Sequence, residues 1–191
     1  MTTSVRILGG LPPYGPMATP IPKEWGLRAG EGLVVEFETG TESWVANFQR
    51  GLGGLDLAAP HPRGHGAVVI ASGDLWEVDT ATRSAELLLP VIDEAIEVGS
   101  SEGWVFSLQG IALARFGPTG LAWHTRRLSF DGFDNLRIEG SHVVGVAWSP
   151  IDDSWRPFRV ELETGKSEGG SFSCDDPEGW ESLGTEPGQF P

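Results

Sequence analysis

Few residues of this chain are placed to do chemistry, and carboxylates lead them. Asp131 and Asp134 flank Gly132-Phe133, and Asp152-Asp153 stand just before Trp155. Two carboxylates suffice for glycoside hydrolysis, and Trp123, Trp148 and Trp155 would offer stacking faces to a sugar if exposed. Against this, aspartates at hairpin tips usually accept bonds from their own backbone. His61 and His65 have the four-residue spacing that chelates a metal on a helix, but Pro62 and Gly64 forbid that helix. The segment reads as a surface loop entering a strand at Ala67, and no metal site is expected. His124 and His142 fall in expected strands, and no Gly-x-Ser-x-Gly elbow supplies a nucleophile. Cys174, the only cysteine, lies beside Asp175 and Asp176, whose charge disfavours a thiolate. Gly51-Leu52-Gly53-Gly54 and Gly169-Gly170 lack the Lys-Ser/Thr ending and the helix of a phosphate loop. No catalytic set and no cofactor is expected.

The elements that hold these residues must be short. Glycine (27) and proline (14) recur throughout the 191 residues, which favours many tight turns over long helices. Eight tryptophans and nine phenylalanines supply large core side chains. The net charge of −14 opposes binding to nucleic acid or to anionic membranes and suits a basic protein partner. The N-terminus lacks the pattern of a secretory signal, no apolar run reaches 18 residues, and one cysteine forms no intrachain disulfide. A cytoplasmic protein is the expectation. Arg115, Arg126, Arg127, Arg137, Arg156 and Arg159 cluster among Asp131, Asp134, Asp152 and Asp153, which points to cross-strand ion pairs, with an anion-binding face as the alternative.

Strand-forming runs joined by short turns repeat along the chain. Thr39-Gly40 divides 33–48, Ser72-Gly73 and a polar turn ending at Arg83 divide 67–89, and Gln109-Gly110 followed by Gly117–Gly120 divides 104–127. An Ile151–Ser154 turn and then Thr164-Gly165 divide 142–172, with extra strands expected at 92–98 and 135–139. Aligned on Gly40, Arg83, Gly120 and Gly165, the units recur at 43, 37 and 45 residues, the arithmetic of propeller blades. The stretches 37-FETGTESW-44 and 116-FGPTGLAW-123 resemble the strand–Thr-Gly–Trp signature of the quinoprotein-type β-propeller repeat. The middle unit has Arg83 in place of glycine, and the last keeps Glu163-Thr164-Gly165 without the tryptophan. The resemblance implies repeated β-meander blades and no quinone cofactor.

The expected fold is all-β, with about four antiparallel meander units forming a small or partial propeller or a curved sheet. Residues 1–172 form one domain, in which the proline-rich segment 10–26 wraps the surface because proline cannot continue a sheet. Residues 173–191, acidic and without a basic residue, read as a solvated tail that Trp180 and Phe190 could pin to the body. Trp104, Phe106, Leu108, Val143, Val144 and Val146 are expected in the core. A rigid repeat scaffold without a catalytic set suits a non-enzymatic protein-binding module, most specifically an immunity-type protein that neutralises a basic toxin or effector. The expected contact residues are Asp152, Asp153 and Trp155 at one hairpin tip, with Asp131 and Asp134. The alternatives are a glycan-binding or glycan-hydrolysing protein using an aspartate pair beside tryptophan, and a propeller-like accessory subunit that regulates an enzyme.

Overall fold

The computed structural model describes residues 3–27, 30–40 and 42–172. It is an all-β structure of four four-stranded sheets in an open row that does not close into a ring. Among the described residues, helix is limited to a 3-10 turn at Lys23–Leu27 and a single turn at Gly99–Glu102.

Three sheets are plain antiparallel meanders. The second comprises β5 (Leu57–Pro60), β6 (Ala67–Ala71), β7 (Asp74–Asp79) and β8 (Ser84–Leu89). The third comprises β9 (Ile92–Glu97), β10 (Trp104–Leu108), β11 (Ala112–Gly117) and β12 (Gly120–His124). The fourth comprises β13 (Phe133–Glu139), β14 (His142–Ser149), β15 (Ser154–Glu161) and β16 (Ser167–Gly169). Their turns sit where left-handed backbone is available: φ is positive at Ser72 and Gly73 and at Gln109 and Gly110.

The first sheet departs from the meander. Its order is β1 (Thr3–Ile7), β3 (Leu33–Thr39), β4 (Glu42–Phe48), β2 (Thr19–Ile21), with β2 running parallel to β4. Three residues of the proline-rich segment 10–26, Thr19–Ile21, therefore do extend a sheet, contrary to the expectation that proline keeps the segment out of one. β2 lies at an edge, where the missing amide of Pro20 leaves no ladder bond unmade. The carbonyl of Ile21 accepts the Gln49 amide at 2.7 Å, and the Ile21 side chain is buried.

Alternation along each strand builds three successive cores. Val35, Phe37, Trp44, Ala46 and Phe48 of the first sheet meet Val69, Trp76 and Val78 of the second, with Phe37 and Trp44 stacked at 4.6 Å. Val68, Ile70 and Leu75 on the second sheet's other face meet Phe106, Ala114 and Phe116 of the third. Val105 and Leu113 then meet Val143, Ala147, Phe158 and Val160 of the fourth, with Leu128 between. Covered on both faces, β6 is buried at all five positions, whereas β14 alternates between buried and half-buried. Phe106 and Val143 are core as expected, but Trp104, Leu108, Val144 and Val146 are only half-buried. For Val144 and Val146 the reason is that, among the described residues, no further element packs on their side of β14.

Two repeat tryptophans join neighbouring sheets. Trp123, at the end of β12, donates its indole N–H to the Leu162 carbonyl at 3.0 Å and lies against Gly165. A side chain at Gly165 would come within 2.8 Å of the indole, and φ there is +73°, so glycine is required twice over. Trp44 has Arg83, at the matching turn of the second sheet, 6.0 Å from its ring. The tryptophan of one unit thus reaches the turn of the next.

Candidate functional site

The five residues singled out from the sequence all belong to the fourth sheet or its approach. Ser149 pairs with Ser154, so residues 150–153 form the loop closing β14 on β15. Asp153 takes left-handed backbone (φ +54°), which aspartate tolerates better than most residues. Asp152 accepts hydrogen bonds from the Ser149 and Ser154 hydroxyls and from Arg156 Nη2 at 2.5 Å. These partners, the Ser149 hydroxyl foremost, hold its carboxyl below the usual aspartate range. The charge of Asp152 is therefore engaged within its own hairpin.

Cross-strand register arranges the outer face of this sheet in rows. Arg137, Val144, Arg159 and Glu168 form one row across all four strands. Asp134, Val146 and Pro157 form the next, and Trp148 with Trp155 the one nearest the tip. The two tryptophan rings lie 5.1 Å apart. Trp155 is 46% exposed, and Ile151 in the loop is 78% exposed. The arginines are paired locally, Arg137 with Glu139 at 2.6 Å and Arg159 with Glu168 at 2.7 Å. The outcome is an apolar stripe edged by ion pairs, open along its length among the described residues.

Asp134 shares this face with Trp155, one row away, whereas Asp131 precedes the strand. The Asp134 carboxylate accepts the Asn135 backbone amide at 2.8 Å and its side-chain amide at 3.0 Å, while the Asp131 amide donates to Ser129 Oγ at 3.2 Å. Of the stacking tryptophans, Trp123 is tied to the fourth sheet, and only Trp148 and Trp155 stand on the open face.

Sequence reasoning missed two features. The exposure of Ile151 is one: the residue lies in the expected tip loop, but a lone apolar residue there carries no local signal of how far it stands out. The other is a set of carboxyls at and beside β9: burial raises Asp74, Asp93 and Glu94, and Asp134 raises Glu94 further. Among the described residues no group of three metal-ligating side chains is assembled. No described helix is long and apolar enough to cross a membrane.

His61 is not on the surface as expected but 2% exposed. Its ring packs edge-on against Phe116 of the third sheet at 5.1 Å, and Nδ1 accepts the Arg63 amide at 3.1 Å. Nε2 stands 3.4 Å from Glu77, poorly aligned for a hydrogen bond, while Arg63 Nη1 holds that carboxylate at 2.7 Å. Burial first, then the charges of Arg63 and His65, push the His61 pKa down to about 4. The ring is a neutral part of the packing between the second and third sheets.

No protein-family model matches this chain, and a search of curated proteins finds no relative.

Proposed function

We propose that the chain is a non-catalytic protein-binding module that engages its partner with the β14–β15 tip. The observation that carries this reading is Trp155, half exposed beside Ile151 and backed by Trp148, on a sheet face that no other described element covers. Tryptophan set on a rigid strand supplies the large buried contact that dominates protein interfaces, and flanking ion pairs form a polar rim. The net charge of −14 steers a basic partner over long range. With Asp152 held by Arg156, the short-range anchor is Trp155 with Ile151, and Asp153 is the charge beside it. In its narrowest form the reading is a cytoplasmic immunity-type protein that masks a basic toxin or effector.

The test is capture of partner from the native host by the parent chain, by Trp155→Ala and by Asp152→Asn/Asp153→Asn. A partner retained by the parent, lost with Trp155→Ala and released progressively by salt supports the reading. Capture unchanged by both variants removes the tip as the site. Trp155 would also serve a sugar, so quenching of tryptophan fluorescence by glycans, indifferent to salt, would transfer the site to the glycan reading.

A further inference from the structure

The two ends of the row of sheets are finished unequally. On the first sheet, the outward-facing Val34 is buried, and Asn47 beside it in register is 8% exposed. A proline-rich strap crosses that face, lining with Pro20, Lys23, Gly30 and Asn47 a groove of about 660 Å³. The strap is tied down by the Leu11 amide on Glu31 at 3.1 Å. On the fourth sheet the equivalent face carries a groove of about 470 Å³ with Val144, Val146 and Pro157 as its floor and Arg137 and Arg159 at its sides. No described residue fills it.

We infer that this groove is the docking site for residues 173–191 of the same chain. Three observations point to that occupant. The first is where the segment starts. Phe172 is fixed beside the fourth sheet: its amide and that of Ser171 both donate to the Leu128 carbonyl, and Ser171 Oγ donates to the Trp148 carbonyl at 2.5 Å. Arg127 lies 4.6 Å from the Phe172 ring and Phe130 packs edge-on to it at 5.0 Å, so the segment leaves from a fixed point just past β16, the edge strand of the fourth sheet. The second is reach. Nineteen residues extend to roughly 60 Å, against roughly 26 Å for the eight-residue β14.

The third is complementarity. Residues 173–191 carry Trp180, Leu183 and Phe190 among Asp175, Asp176, Glu178, Glu181 and Glu186, with no basic residue. The groove offers an apolar floor lined also by Arg137 and Arg159, already paired with Glu139 and Glu168 but 55% and 60% exposed, so each guanidinium keeps N–H groups for a second carboxylate. Aromatic side chains on the valine and proline floor, with carboxylates beside Arg137 and Arg159, match in both respects. The groove occupies the two rows of this face next to the Trp148–Trp155 row, and its occupant is read from contacts to Val144 and Val146 rather than from partner capture at the tip.

The experiment is methyl and aromatic NMR on the full chain, with Trp180→Ala/Phe190→Ala as the companion variant. The expected result is nuclear Overhauser contacts from the Val144 and Val146 methyls to the Trp180 or Phe190 rings. The variant should shift those valine methyls and leave Val69, Val105 and the other core methyls in place. A mixture of differently labelled chains locates the contacts. Contacts arising only between chains would overturn the inference in favour of a second copy. An absence of contacts, with Val144 and Val146 unshifted in the variant, would overturn it outright.

Discussion

The first and fourth sheets occupy corresponding ends of the row, but their outward valines differ in state. Val34 is 2% exposed, whereas Val144 and Val146 are half-buried on a strand that alternates strictly between buried and half-buried positions. The side chain is the same in each case and the strand context is similar. What differs is whether another described segment lies over the face, and that is decided by residues remote in sequence. Residue type alone reports a strand's readiness to be buried; the number of layers sets how much of it is.

Substitutions can break or sharpen this contrast. The largest effect belongs to the interior, which sets the upper bound for both ends. Phe106→Ala, between the second and third sheets, should cost roughly 3–5 kcal/mol in chemical denaturation. A variant as stable as the parent would mean that the middle of the row is no better packed than its ends. The next effect concerns pH at the same interior layer. The folded pKa of His61 is lowered to about 4 from an ordinary 6.5, so the unfolded chain binds the proton more readily. This part of the stability is complete above about pH 6.5 and is lost as pH falls toward 4, by roughly 3 kcal/mol. His61→Phe should flatten that portion of the stability–pH curve, and a curve of unchanged slope would show that other groups carry it.

At the first sheet, Val34→Ala removes two buried methyl groups and should cost about 2 kcal/mol. At the fourth, Ile151→Ala removes a larger apolar side chain at the tip and should change stability by less than about 0.5 kcal/mol. Equal costs at the two positions would erase the distinction between a covered end and an open one. An Ile151 effect confined to partner binding would strengthen it.

Much of the fold was legible because its signals are local. Runs such as 104-WVFSL-108, set off by turns with positive φ at Gln109 and Gly110, placed the strands of the three meander sheets close to where they lie. β2 (Thr19–Ile21) and β5 (Leu57–Pro60) were missed, since three or four residues rich in proline and alanine carry no alternation. They become strands because β4 and β6 offer them open edges. His61 was misplaced for a similar reason: Phe116, which covers it, comes 55 residues later and belongs to another sheet. At the candidate site, the tip and its tryptophan were readable from Asp-Asp-Ser-Trp. The engagement of Asp152 by Arg156 and the tilted packing of Trp155 against Trp148 required the β14–β15 register.

The strand order of the first sheet has a kinetic consequence. The hairpins of the other sheets close over short turns, and the ordering entropy of each is recovered almost at once. β1 meets β3 only across residues 8–32, and β2 must join the far edge of β4 from within that same connection. Both strands need the β3–β4 hairpin as a template, so they gain nothing until it exists. They should form late and be the first to open under native conditions. Amide hydrogen exchange should therefore find Val5 and Ile21 exchanging through local openings, well before the amides of β6 and β11 that depend on global unfolding.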